Sequence, residues 1–197
     1  MALLDIVRYL RDTRHYQLHL GLGLDKPLRS HLIKHSRIMT IDPWTDTDVI
    51  WICDASQGGE RPMQCAIGFI AGCPFAWKIG RLASTTLSSC EAEWFGQTAG
   101  AVGMQAILPV LDFLDIKYIL PIIFFCDNES AIKLSVSDHT TKHMKHVLTR
   151  MAYLQELIDS GKMTLFHVDT DAMIADIGTK VLGPTSFHSL RRFLVSE

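Results

Sequence analysis

The sequence lacks three features that would place it at once in a broad class: a basic excess, a C-x-x-C cysteine pair and a long apolar run. Its 19 Lys and Arg stand against 21 Asp and Glu, a formal net charge of -2. A generally basic nucleic-acid coat is therefore excluded, and any nucleic-acid contact needs a local basic face around an acidic centre. No apolar run reaches the roughly 18 residues that a membrane-spanning helix needs.

What is present is typical of a globular chain. The 197 residues are 48% hydrophobic and 20% charged, which suits one domain with a sizeable core. The five cysteines are odd in number and several lie in apolar runs, which predicts buried free thiols in a reducing compartment. Histidines recur at i,i+4 spacing, but no Cys or acidic complement accompanies them, so we do not expect a zinc site. A soluble intracellular protein is expected.

Two apolar runs each end in a cysteine followed by an aspartate. Residues 49–53 lead into Asp54, and residues 122–126 lead into Asp127. Uncharged runs of this kind predict strands buried on both faces, and the ends of neighbouring strands lie close in space. A buried carboxylate is costly unless a cation lies beside it, so the pair predicts a divalent-metal site. The alternative is that each aspartate only caps a turn or a helix.

Hydrophobic periodicity and turn residues predict the remaining elements. An amphipathic helix over residues 3–14 precedes a linker over 21–47, which holds at most a short helix near 28–35. Strands are expected at 49–53, 65–71, 74–79, 122–126 and 163–168. The later helices are expected at 88–113, 128–134, 139–160, 172–180 and from 184 onward. The first of these should break at Pro109. Three sequential strands predict an antiparallel meander. The fold class is therefore α/β, a mixed five-stranded sheet flanked by helices.

Six short motifs, in order, resemble the ribonuclease H region of copia-class LTR retrotransposon Pol polyproteins. They are Cys53-Asp54-Ala55, Trp77-Lys78, Leu-Ser-Ser-Cys-Glu-Ala-Glu-Trp at 87–94, Cys126-Asp127-Asn128-Glu-Ser-Ala131, Lys145-His146, and Ala175-Asp176-Ile-Gly-Thr179-Lys180. Residues 6–13 are similar to the preceding segment, the tail of the reverse transcriptase. With the periodicity, the resemblance divides the chain into a reverse-transcriptase tail and linker over 1–45, a ribonuclease H-like domain over 46–183 and a C-terminal helix over 184–197.

The resemblance implies four acids with both catalytic and metal-binding roles: Asp54, Glu93, Asp127 and Asp176. Glu91 competes for the second position, but a small residue before and a large apolar one after favour Glu93. The implied activity is hydrolysis of the RNA strand of RNA/DNA hybrids during reverse transcription. Two Mg²⁺ ions about 4 Å apart can activate the attacking water and neutralise the leaving oxygen, with Mn²⁺ as a substitute.

The implied partners are an RNA/DNA hybrid and the reverse transcriptase domain of the same polyprotein. Recognising a hybrid needs short polar groups near the 2′-hydroxyls and basic groups further out. The polar candidates are Ser56, Ser88, Asn128 and Ser130, and the basic candidates are Lys78, Arg81, Lys142, Lys145, His146 and Arg150. A solvated helix face is an equal alternative for the basic residues between 139 and 160. We expect Trp77 and Trp94 in the core rather than in base stacking.

Some positions depart from the family pattern. Asp169 stands where the family usually has proline, and Asp171 stands near the point where many ribonucleases H keep a mobile histidine. None of the four acids is missing, which favours an active endonuclease over a catalytically silent or domesticated module that binds nucleic acid or packs on a polymerase domain. Transposases and resolvases share this architecture with other substrates, but the copia-like motifs argue against that third interpretation.

Overall fold

The computed structural model describes residues 2–17, 25–36, 49–57, 62–82, 86, 88–136 and 148–195. One mixed sheet contains β1 (Val49–Ala55), β2 (Met63–Ile70), β3 (Cys73–Arg81), β4 (Ile122–Cys126) and β5 (Met163–His167). The spatial order is β3-β2-β1-β4-β5. β1, β2 and β3 pair antiparallel, whereas β4 runs parallel to both β1 and β5. The predicted five-stranded mixed sheet with an antiparallel first half is confirmed.

Helices cover both faces of this sheet. The described helices are α1 (Ala2–Asp12), α2 (Asp25–His35), α3 (Ser89–Phe113), α4 (Glu129–Ser135), α5 (Leu148–Asp159), α6 (Asp176–Thr179) and α7 (Pro184–Arg191), with a 3-10 turn at Thr170–Ala172. Side chains of α3 and α5 pack on one face, around Trp51 and Phe124. Side chains of α2, α7 and residues 172–175 pack on the other, around Ile52 and Phe125. β1 is buried along its whole length because both of its faces are covered.

Two predicted helices differ from the structure. α3 runs through Pro109 to Phe113 without the predicted break. Pro109 lies on the exposed side of the helix, so water can bind the carbonyl group that loses its helical partner there. The predicted helix over 172–180 is instead a 3-10 turn followed by the four-residue α6. The first part of the predicted 139–160 helix lies outside the described residues.

α2 contributes to the core, although it lies in a segment expected to be mainly linker. Leu28 and Leu32 are both buried. The backbone N–H of Asp169 donates to the carbonyl of His35 at 2.8 Å, and the Asp169 carboxylate is 3.6 Å from His35 Nδ1. A proline at this position would have no N–H to donate. The domain boundaries after residues 45 and 183 stay predictions.

α1 is amphipathic as predicted, but little of its apolar face is covered by the described part of the chain. Ile6, Val7 and Leu10 are between 55% and 60% exposed. One contact is to α7, where the Tyr9 ring meets Phe187 edge-on with centroids 5.9 Å apart. None of the helices in the described ranges is long and apolar enough to cross a membrane.

Candidate active site

Asp54 and Asp127 lie side by side because they end neighbouring parallel strands. β1 pairs with β4 through Ile52 and Phe125, so the residues two positions further along meet at the same edge of the sheet. Asp176 opens α6, which contacts β1 and β2. One carboxylate oxygen from each of the three aspartates lies within 4.8 Å of the other two. The structure thus brings three of the four predicted acids into one cluster.

Glu93 reaches the same place from α3, the helix that crosses the end of β1. Its side chain is 4% exposed and lines a cavity with Asp54 and Asp127. Burial, and then the charges of those two aspartates, raise the pKa of Glu93 to about 9. Its Oε2 is buried and accepts no hydrogen bond from any described residue. Glu91, the competing candidate, does not line the cavity.

The cavity above the acids is open to solvent and has a volume of about 750 Å³. Its wall is largely polar, and the lining residues are Asp54, Ala55, Ser56, Gln57, Ser89, Glu93, Asp127, Asn128, Glu129, Ser130, His167 and Lys180. An open polar groove suits an extended polar ligand better than a small apolar molecule, which needs an enclosed apolar pocket.

Two residues of the Ala175-Asp176-Ile-Gly-Thr179-Lys180 segment contact the acids directly. Thr179 Oγ1 donates a hydrogen bond to Asp54 Oδ2. Lys180 Nζ is 2.6 Å from Asp176 Oδ1, and 3.9 Å from both Asp54 Oδ1 and Asp127 Oδ2. Burial raises the pKa of Asp54, while the Thr179 hydrogen bond and the Lys180 charge act in the opposite direction. Burial likewise raises the pKa of Asp176 to about 6. These carboxylates are costly to ionise unless a cation compensates them.

Comparisons with known proteins agree with this geometry. No protein-family model matches the chain. It is 26% identical over 192 residues to the retrovirus-related Pol polyprotein from transposon RE1 of Arabidopsis thaliana, and 25% identical over 191 residues to that from transposon RE2 of the same plant. A solved N-terminal RNase H domain from Mycobacterium tuberculosis superposes with a TM-score of 0.51 at 14% identity, covering 74% of this chain and 97% of that one. The chain has a ribonuclease H-like fold and is similar in sequence to part of these transposon Pol polyproteins.

The matches cover 95% and 97% of this chain, but only 12% of each polyprotein. The chain therefore spans a small part of the length of these relatives. The predicted resemblance is confirmed at the level of fold and of sequence similarity.

The polar candidates for substrate binding divide into two groups. Ser56, Asn128 and Ser130 line the cavity beside the acids. Asn128 also caps α4, because its Oδ1 accepts the N–H of Ala131 at 3.0 Å. Ser88 is not among the lining residues; its Oγ caps α3 by accepting the N–H of Glu91 at 3.1 Å.

None of the basic candidates within the described ranges lines the cavity, and the others lie outside the described residues. Lys78 and Arg81 are exposed on β3, the edge strand, and neither lines the cavity. Arg150 stacks its guanidinium over the Phe95 ring, 3.8 Å from the centroid. Lys142, Lys145 and His146 lie outside the described residues.

Of the two tryptophans expected in the core, only Trp94 is there. Its side chain is fully buried, and its Nε1 donates to Ser135 Oγ at 3.0 Å. Trp77 is 57% exposed, so that expectation was wrong. It lies on the edge strand β3, and α6 is only four residues long and covers little of that strand.

Sequence reasoning did not assign roles to Thr179, Lys180 or His167 in the ribonuclease H-like domain. Thr179 and Lys180 follow Asp176 at i+3 and i+4, the spacing that places side chains on one side of a helical turn, and this signal could have identified them. His167 ends β5, paired with Cys126 of β4, and its Nε2 is 3.1 Å from the carbonyl of Asp127. Its position follows from the strand register, which the sequence does not show.

Replacing Glu93 by Gln should stabilise the metal-free domain at alkaline pH. In the folded protein the pKa of Glu93 is about 9, above its ordinary value of 4.5. The protonated carboxyl group therefore contributes its full stabilisation of the fold below pH 4.5, and this contribution is lost as the pH rises through 9. Glutamine keeps the neutral shape at every pH. We expect a gain of about 1–3 kcal/mol at pH 8, measured by thermal unfolding in EDTA between pH 5 and 9.

The exposed Glu156 on α5 supplies the control for this experiment. Glu156→Gln should leave the pH dependence of the unfolding temperature unchanged. Parallel curves for the wild type and Glu93→Gln across the whole pH range would contradict the prediction.

Proposed function

We propose that this domain is a metal-dependent endonuclease that hydrolyses the RNA strand of RNA/DNA hybrids. The observation that carries the proposal is the cluster of Asp54, Asp127 and Asp176. Asp54 and Asp127 line an open cavity together with the buried Glu93. The ribonuclease H fold and the homology to Pol polyproteins support this function from independent evidence.

The residues of the cluster fit a hard divalent cation. Asp54, Asp127, Asp176 and Glu93 offer carboxylate oxygens, the ligands that Mg²⁺ prefers in proteins and that Mn²⁺ also accepts. The buried Oε2 of Glu93 lacks a hydrogen-bond donor among the described residues, and the aspartates already attract the ammonium group of Lys180. Divalent ions bound there would supply an activated water and neutralise the leaving oxygen of a phosphodiester.

The chain's own residues position these oxygens and the substrate. The Thr179 hydrogen bond fixes the orientation of the Asp54 carboxylate, and strand pairing fixes its distance from Asp127. Ser56 and Ser130 stand on the cavity wall, where their hydroxyl groups can bind the 2′-hydroxyls or the backbone of a nucleic acid. A deoxyribose strand lacks the 2′-hydroxyl, so contacts at that position would favour cleavage of the RNA strand.

The proposed partners are an RNA/DNA hybrid and the reverse transcriptase domain of the same polyprotein. The curated relatives are Pol polyproteins, and this chain corresponds to 12% of their length. A reverse transcriptase produces hybrids from an RNA template, so a ribonuclease H domain in the same chain would act on its product.

Cleavage of labelled substrates by the full 197-residue chain tests the proposal. An RNA/DNA hybrid, an RNA duplex and a DNA duplex are incubated with the protein in Mg²⁺ and in Mn²⁺, with Asp127→Asn as the inactive comparison. We expect cleavage of the hybrid alone, dependent on the metal and lost in Asp127→Asn. Metal-dependent binding of the hybrid without cleavage would instead support the silent binding module.

A further inference from the structure

Lys180 is the cationic side chain of the acidic cluster. Its ammonium nitrogen is 2.6 Å from Asp176 Oδ1 and 3.9 Å from one oxygen each of Asp54 and Asp127. Among the cavity-lining residues in the described ranges, it is the only lysine or arginine. The ammonium group therefore lies close to the carboxylate oxygens that would bind a divalent ion.

The fold holds Lys180 in this place through α6. Its backbone N–H donates to the carbonyl of Asp176 at 2.9 Å, and the preceding residue, Thr179, is bonded to Asp54. The side chain is 36% exposed, on the border between the acids and the open cavity. A lysine side chain has four rotatable carbon–carbon bonds, so its ammonium group can leave the cluster while the backbone remains fixed.

We propose that Lys180 is the internal counter-ion of the metal-free site, and that a divalent ion must displace its ammonium group before it can bind. This inference rests on the metal-binding part of the proposed function. A lysine ammonium and a divalent cation compete for the same carboxylate oxygens and repel each other at short range. The counter-ion compensates three clustered carboxylates in the metal-free protein, but it weakens metal binding.

A purely structural role for Lys180 predicts the opposite sign. If the 2.6 Å contact only holds Asp176 in position for the metal, removing Lys180 will loosen a ligand and weaken metal binding. If Lys180 competes with the metal, its removal will strengthen metal binding and destabilise the metal-free protein. Measuring the affinity for the metal alone therefore separates the two roles without any measurement of cleavage.

The first experiment is calorimetric titration of Mn²⁺ into the wild type, Lys180→Met and Lys180→Gln. We expect at least about tenfold tighter Mn²⁺ binding in both variants, because a nearby positive charge is gone, with a lower unfolding temperature in EDTA. The matched control is Lys133→Met. Lys133 also pairs with an acid at i,i+4, Glu129 at 3.1 Å, but it is 75% exposed, and we expect no change in affinity.

The second experiment uses the wild type alone and so does not depend on a variant that folds. Lysine amines are labelled with an acylating reagent with and without saturating Mn²⁺, and the sites are quantified by mass spectrometry. We expect labelling of Lys180 to rise severalfold with Mn²⁺ while that of Lys133 stays constant.

The outcomes distinguish this inference from the proposed function. Equal or weaker Mn²⁺ binding in folded Lys180 variants, or unchanged labelling of Lys180 at saturating Mn²⁺, would overturn the counter-ion role and leave the metal site standing. Absence of Mn²⁺ binding in the wild type and in every variant would overturn both.

Discussion

Asp54→Asn is expected to reduce hybrid cleavage at least about a thousandfold while the domain stays folded. Asp54 is 1% exposed and lies between Asp127, Asp176 and the Thr179 hydroxyl. Asparagine retains an oxygen that can accept the Thr179 hydrogen bond, but it removes the charge that would hold a divalent ion. Loss of that ion removes several kcal/mol of charge stabilisation from the transition state.

The fold should tolerate this change because burial already disfavours the ionised form of Asp54. We expect an unfolding temperature in EDTA equal to or above that of the wild type, with much weaker Mn²⁺ binding by calorimetry. Single-turnover cleavage of the labelled hybrid measures the loss of activity. If the Asp54→Asn variant cleaves the hybrid at a rate within tenfold of the wild type, the Asp54 carboxylate is not required for cleavage.

Asp115→Asn is the matched control for Asp54→Asn. Asp115 follows α3 and forms an ion pair with Lys117. Its side chain is nevertheless 84% exposed. Its φ of 54° lies in the left-handed region, which asparagine adopts as readily as aspartate. We expect wild-type cleavage and wild-type stability from this variant.

Gly96→Ala is expected to destabilise the domain by about 1–3 kcal/mol and to lower cleavage at least about tenfold. A Cβ at position 96 would lie 2.7 Å from the carbonyl oxygen of Asp54. That oxygen belongs to the backbone of the central strand and cannot rotate away, so α3 must move outward. α3 also carries Glu93, and the movement would separate it from the aspartates.

The sign of the stability change makes this prediction specific. In an isolated helix, alanine is favoured over glycine by about 1 kcal/mol, so helix propensity alone predicts stabilisation. Denaturant unfolding and hybrid cleavage would be measured for Gly96→Ala and for Gly80→Ala, where a Cβ would meet nothing within 4 Å. Gly80→Ala should change stability by less than about 0.5 kcal/mol. If the Gly96→Ala variant is as stable as the wild type or more stable, α3 packs less closely on β1 than the 2.7 Å distance indicates.

Much of the fold could be predicted because the signals are local. The uncharged runs of β1 and β4 reflect burial on both faces, and Ser88 and Asn128 cap the helices that begin after them. Predictions failed where the burial of a residue depends on parts of the chain that are distant in sequence. Trp77 is exposed because, within the described ranges, the four-residue α6 covers little of the edge strand. α2 joins the core through Leu28 and Leu32 despite its polar surroundings.

The sequence by itself determined the element order, the two strand-end aspartates and the resemblance that assigned Glu93 and Asp176 to the same site. Only the tertiary structure decided which groups surround those acids. Thr179 bonds to Asp54 across 125 residues of sequence, and Lys180 lies within 3.9 Å of three acids, Asp54, Asp127 and Asp176. Helical spacing links Lys180 to Asp176, but it cannot show the contacts to Asp54 and Asp127, because these depend on distances in space that the packing of α6 against the sheet sets.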